Sequence, residues 1–177
     1  MTNEPVPQAV RERLAVLEQQ IASLSRAGAH GGGQPLPDMT PVAIQLILRE
    51  MKQVVPYDSC SVQQLRGTRL VIIGGVGFAD LDVVLGESFE INNLEIPNGE
   101  VIYRRRPVVV GDTEQYRAFR RGLHVGAGIH SWLGVPLLRG EDLLGMLALD
   151  KAEKDFYTVE HQRHALAFAG LVAGAMG

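Results

Sequence analysis

Apolar residues recur along this chain in different rhythms, and each rhythm predicts a different kind of element. Val10, Leu14, Leu17, Ile21 and Leu24 follow one another at alternating steps of four and three, which draws a narrow apolar seam along a helix over residues 7–26. With Leu14 and Ile21 at heptad positions a and Leu17 and Leu24 at d, Arg13 falls at g and Glu18 at the following e. Those two charges would meet across the seam of a parallel dimer. A helix of under three heptads is marginal alone. The stripe is also narrower than the face of a helix built into a domain, so pairing with a second copy fits it better than packing on the chain's own body.

Gly28, Gly31, Gly32, Gly33, Pro35 and Pro37 end that helix and have the composition of a connector. Thr40 and Pro41 are a helix start, with a hydroxyl to cap free N–H groups and proline at the first helical position. Val42, Leu46, Ile47, Leu48, Met51 and Val54 supply its apolar face until Pro56 stops it. Beyond this point the rhythm shortens to two. Residues 57–65 alternate loosely, Arg66-Gly67 makes a turn, and residues 70–73 are rich in β-branched side chains, so together they predict an antiparallel hairpin. Residues 89–96 and 107–110 read as extended, with a short helix over 99–105 between them and another helix over 113–121. Residues 130–138 and 143–149 are strongly apolar and flank a turn at 139–142, predicting a second hairpin at the sheet centre. Thr158 caps a last helix to about residue 176, with Glu160 in its positive first turn.

Hairpins near both ends predict an α+β fold: one central antiparallel sheet of five to six strands flanked by helices, because parallel βαβ units would alternate regularly. The domain plan is a dimerisation helix over 1–27, a Gly/Pro-rich linker over 28–39 and a globular domain over 40–177.

Composition narrows the function classes. With 46% hydrophobic and 21% charged residues the chain is not disordered. A formal charge of -3, with basic residues scattered apart from Arg104, Arg105, Arg106 and the pair Arg120, Arg121, argues against nucleic acid as a partner. Cys60 is the one cysteine; it allows no internal disulfide and no multi-thiolate zinc site, and it fits a reducing, cytoplasmic compartment. Glu4, Pro5 and Pro7 interrupt any signal-peptide core, and the uncharged stretch 165–177 falls short of the ~20 residues of a membrane span. Gly74, Gly75 and Gly77 lack the third glycine and the crossover helix of a dinucleotide loop. No Gly-x-Ser-x-Gly elbow, Walker loop or His-Glu-x-x-His motif occurs in the sequence.

Ser131-Trp132-Leu133-Gly134-Val135-Pro136-Leu137-Leu138, then Leu144-Gly145-Met146-Leu147-Ala148-Leu149-Asp150, then Phe156-Tyr157-Thr158 before a closing helix, resembles the C-terminal half of GAF domains. Tyr57-Asp58-Ser59-Cys60-Ser61-Val62 resembles that family's first strand. Gly99-Glu100-Val101 through Arg106-Pro107-Val108-Val109-Val110, with Asp112, resembles its middle. The similarity covers residues 40–177. It implies a sheet with helices on one side and a pocket on the other, walled by the irregular middle segment. It also implies a bacterial sensory module that binds cyclic nucleotides, tetrapyrroles or other small molecules, or only dimerises. Its output would be a separate domain such as a histidine kinase, diguanylate cyclase, phosphatase or transcription activator. Cyclic-nucleotide binders of the family carry an Asn-Lys dipeptide, a Phe and an Asp-Glu pair; here Asp150-Lys151, Phe156 and Glu160-His161 stand in their place, and only Lys151 and Phe156 match. Bilin-binding relatives attach pigment through a cysteine where this chain has none, between Tyr116 and His124, so no covalent bilin is expected. Haem through His124 or His130 and cyclic nucleotide both stay open, and the cofactor is not identified.

The candidate ligand site gathers Ser61 from the first strand, Val76 from the second, Asn98 and Gly99 at a helix start, Tyr116 and Phe119 from a covering helix, and Ser131 and Trp132 from the central strand. These supply apolar and aromatic walls with a few hydroxyl, amide and N–H groups, the mixture a small-molecule site requires. The alternative is that the aromatic residues fill the pocket as core. Cys60 reads as a core thiol, since a nucleophile needs a cationic neighbour and exposure. The catalytic relatives, methionine-sulfoxide reductases of GAF fold, use several cysteines, and a single thiol has no resolving partner. His161 and His164 stand one turn apart beside Glu160 and read as a solvated helix face rather than a metal site. No catalytic residue is therefore assigned. The expectation is a regulatory, homodimeric, ligand-sensing module, with a ligand-free scaffold or a thiol-dependent reductase as alternatives.

Overall fold

The computed structural model describes residues 5–28, 40–91, 94–116, 118, 119 and 128–176. Along the chain come α1 (Gln8–Gly28), α2 (Thr40–Met51), β1 (Ser59–Arg66), β2 (Arg69–Val76), α3 (Leu81–Val84), β3 (Ser88–Glu90), α4 (Pro97–Arg104), β4 (Val108–Val110), β5 (Ser131–Arg139), β6 (Asp142–Lys151) and α5 (Val159–Ala175). The six strands form one sheet in the order β3-β2-β1-β6-β5-β4, and every neighbouring pair is antiparallel. The two hairpins, β1–β2 and β5–β6, meet at the centre through β1 and β6, which gives the single antiparallel sheet expected from hairpins near both ends.

The residues of β5 and β6 are buried on both faces along most of their length, which is why these strands lack the polar alternation of a half-exposed sheet. Pro136 is tolerated in β5 because β4 stops opposite Gly134, leaving the strand one neighbour at that point.

On one face lie α2 and α5. α5 is capped by Thr158, whose hydroxyl accepts from His161 N while His161 Nδ1 accepts from Thr158 N, both at 3.2 Å. Its buried stripe of Ala165, Phe168, Ala169, Val172 and Ala173 is mostly small, so the helix lies close over β5. α2 contributes Ile44, Ile47, Leu48 and Met51 to the same core, with Cys60, Val62, Leu133, Val135, Leu147 and Leu149 from the strands. The phenol of Tyr57 donates to Leu48 O at 2.6 Å and ties the end of α2 to the approach of β1.

α1 forms, but the seam expected to meet a second helix is applied to the body. Val10 and Leu17 are buried in the helix-side core, Leu17 with 1% exposure, while Leu14 and Ile21 rest against it half-buried. Arg13 meets Glu50 of α2 at 3.0 Å, which ties the helix to the body beside its apolar seam.

Two local expectations are corrected. The helix over 113–121 is absent from its described part: residues 113–115 make a turn, fixed by Asp112 Oδ1 accepting from Glu114 N and by Thr113 bonding the backbone of His130 and Ile129. Arg120, Arg121 and His124 lie outside the described residues, as does the 29–39 part of the linker. The extended segment 89–96 narrows to β3, whose pairing with β2 is carried one residue further by Ile91 N donating to Thr68 O before Pro97 starts α4. α3, unforeseen, is capped by Asp80 accepting from Asp82 N.

Candidate functional site

Strand alternation divides β1 between two environments. Cys60 and Val62 face the helices, so Ser59, Ser61 and Gln63 face the other way. Across the strand pair, Ser61 stands beside Ala148 and Gln63 beside Met146, and both partners belong to a second, smaller core with Leu70, Ile91, Val101, Ile102, Val110 and Trp132. This second face is roofed by α4 and by Tyr116 and Phe119. Trp132 is 3% exposed, with Phe119 edge-on at 6.2 Å between centroids. Gly134 makes room for it, because a Cβ there would strike the Trp132 ring and Val101.

A polar chain runs through this apolar face. Asn98 Nδ2 donates to Gln63 Oε1 at 3.2 Å, and Gln63 Nε2 donates to Ser61 Oγ at 3.0 Å. Ser61 and Gln63 are both 4% exposed. Asn98 also lines a cleft of about 240 Å³ beside β3, together with Arg69, Ser88, Phe89, Ile96 and Ala118. Arg69 donates to Ser88 Oγ and lies 3.8 Å from the Glu90 carboxylate. The chain thus connects an open cleft to the buried middle of the sheet.

At the far end of the same face Asp150 stands in register with both Trp132 and Ser59. Ser59 Oγ donates to Asp150 Oδ2 at 2.7 Å. Burial pushes the Asp150 carboxyl up to about 7, against the pull of that hydrogen bond. Its neighbour Asp58 behaves oppositely: burial opposes its charge, but Lys151 Nζ at 2.9 Å and Ala152 N at 2.7 Å hold its pKa below the usual carboxylate value. Burial, then the Glu100 carboxylate, raises the Tyr116 phenol.

Lys151 bonds Asp58 rather than Glu160 and lies 5.0 Å over the Phe156 ring, which stacks on His161. These two residues therefore brace β6 to β1 and α5. His161 is occupied in the helix cap, and His164 is buried with Nε2 3.8 Å from Glu160, not on a solvated face. Burial lowers the His164 pKa. His130 lies at the entry to β5, where its ligand atom and those of Asp112 and Glu114 fall within 4.8 Å of one another. The Lys154 ammonium already bridges both carboxylates, at 3.0 and 2.8 Å.

Of the residues singled out from sequence, Ser61, Asn98, Tyr116, Phe119 and Trp132 come together on this face, with Gly99 buried in α4 beside Asn98. Val76 and Ser131 do not. A bulge between Val62 and Gln63 shifts the β1–β2 register, so that Gly74 and Val76 point to the helices. Ser131 precedes Trp132 on the strand and shares its parity with Leu133; its hydroxyl accepts from Phe156 N at 3.3 Å. Ser59, Gln63 and Asp150 were missed, although the alternation of Ser59, Ser61 and Gln63 with Cys60 and Val62 was the available signal.

No curated protein matches the chain. Among solved structures, the GAF domain of a phosphoenolpyruvate-protein phosphotransferase from Coxiella burnetii is 19% identical, with a TM-score of 0.69 over 94% of each chain. The corresponding domain from Acinetobacter is 15% identical, with a TM-score of 0.71 over 96% of this chain and 93% of that one. The free methionine-R-sulfoxide reductase from Neisseria meningitidis, in complex with its substrate, is 14% identical, with a TM-score of 0.65 over 99% and 94%. At such identities the likeness is one of fold. The family model for the GAF domain matches residues 41–176, nearly the whole globular part, and the chain belongs to the GAF domain family.

Proposed function

We propose that this chain is a non-catalytic regulatory module that binds a small molecule on the open face of its sheet and works as a homodimer, passing occupancy to an output domain. The observation that carries the reading is the polar stripe of Ser59, Asp150, Ser61, Gln63 and Asn98 on a face otherwise built of Leu, Ile, Val, Met and Trp. A face built for stability alone gains more from apolar side chains than from buried polar ones, which must each find a partner. A strongly raised carboxyl on that face is a further mark of a site. Ligand contacts to the stripe and to the roof would favour one arrangement of the covering segment and shift its population.

A thermal-shift screen of the whole chain against cyclic nucleotides, haem, bilins and amino acids tests this. A true ligand at one hundred times its Kd adds about 2.7 kcal/mol of stability. One class is expected to raise the melting temperature, and Asn98→Ala is expected to abolish the rise. Silence from every class would favour a scaffold in which Trp132 and Phe119 simply fill the hollow.

A reductase reading is favoured by the methionine-sulfoxide reductases among the similar folds. The position of Cys60 speaks against it. The thiol is fully buried on the helix side of the sheet, and burial, then the Asp150 carboxylate, pushes its pKa well up. No turnover of free methionine-R-sulfoxide is expected. Turnover that disappears in Cys60→Ser would establish the enzyme instead.

A further inference from the structure

The apolar seam of α1 already has a partner. Val10 and Leu17 are buried against the helix-side core, Leu14 and Ile21 lean on it, and Arg13 Nη1 reaches Glu50 Oε2. The same side chains stand at heptad spacing, with Arg13 at g and Glu18 at the following e, the arrangement that pairs two parallel copies. Val10 and Leu17 are already desolvated by the body and Arg13 is already paired, so the full a/d seam of a paired helix cannot form while α1 stays docked.

We infer that α1 is a latch with two alternative partners: closed, it packs on its own body; released, its seam pairs with α1 of a second copy. The inference rests on the homodimeric reading above and adds that pairing through this helix requires release from the body. Docking leaves the seam unsaturated, because the a positions Leu14 and Ile21 remain half-buried, and so does Leu24. The ion pair that ties α1 to α2 is exposed, its side chains 44% and 38% accessible, so it holds weakly. Beside it a cleft of about 370 Å³ runs between Ala9, Glu12, Arg13, Val16 and Glu50, so the junction is loosely filled. The second copy is the occupant because the charge pattern is self-complementary: in the paired form Arg13 leaves Glu50 and faces Glu18 of the other helix.

Sedimentation equilibrium on the whole chain separates the two states by charge. Glu50→Arg sets two cations together in the closed form and leaves the α1 sequence untouched. Its dimer Kd is expected to fall about three- to fivefold, the range an exposed ion pair commands, and Glu50→Gln to fall between it and wild type. The double variant Arg13→Glu/Glu50→Arg restores the closed pair but places two carboxylates across the seam, so its dimer is expected to be weaker than wild type. Circular dichroism checks that each variant is folded. A dimer whose Kd does not respond to Glu50→Arg would overturn the latch and leave the homodimer standing. A monomer at every concentration in all the proteins would overturn both.

Discussion

On the helix side of the sheet, Ile47, Leu48, Val62, Leu133, Val135, Leu147 and Phe168 meet with small alanines of α5 between them, and the strand side chains that enter this core are almost wholly apolar. On the other side, a comparable set of strand positions carries Ser59, Ser61, Gln63 and Asp150, and the roof adds Asn98. The same six strands therefore serve one surface shaped by packing and another that tolerates desolvated polar groups. If the second face binds the proposed ligand, substitutions on the two faces should separate stability from binding.

The largest effect belongs to the packed face. Phe168 is completely buried, and Phe168→Ala is expected to lower the unfolding free energy by about 3–5 kcal/mol, read from a denaturant midpoint. Asp150 comes next, through pH. Its folded-state pKa of about 7 lies above the 3.8 of an unperturbed carboxyl, so the folded chain holds the proton more tightly than the unfolded one between those values. Stability from this group is present below pH 3.8 and is lost as pH rises towards 7. Asp150→Asn, which keeps an acceptor for Ser59, is expected to be more stable than wild type at pH 8 by on the order of 1–3 kcal/mol. That advantage should shrink towards zero at pH 4, and a gap independent of pH would show that the carboxyl is not desolvated. Gln63→Ala removes the middle of the polar chain and leaves Ser61 and Asn98 facing a gap, at a cost of about 1–3 kcal/mol. Asn98→Ala, at the half-buried end, is expected to change stability by about 1 kcal/mol or less while removing ligand binding. If Asn98→Ala destabilised as much as Phe168→Ala, the two faces would not differ in role.

How much of this was legible in the sequence follows from what periodicity can record. The strongly apolar runs of β5 and β6 and the Thr158 cap are local, so the second hairpin and α5 fall where the residues place them. The heptad of α1 told which residues share a face but not what covers that face, and the body covers it. The register bulge between Val62 and Gln63 has no signature in a single sequence, and it turns Val76 from the pocket to the core. The bond from Asn98 to Gln63 spans 35 positions and depends on the covering segment settling over the sheet. Ser131 and Trp132 illustrate the opposite case: neighbours on a strand cannot both face one pocket, so alternation alone decides between them.

The sequence contains a single tryptophan, and Trp132 lies buried under the roof of the second face, so its fluorescence is a direct reporter of occupancy there. Titrating the whole chain with the compounds that shift its melting temperature, and following Trp132 emission, tests the central claim. A saturable change in emission that is lost in Asn98→Ala and kept in Cys60→Ser is the predicted result. Saturable binding that leaves Trp132 emission unmoved and survives Asn98→Ala would place the ligand elsewhere and contradict the account.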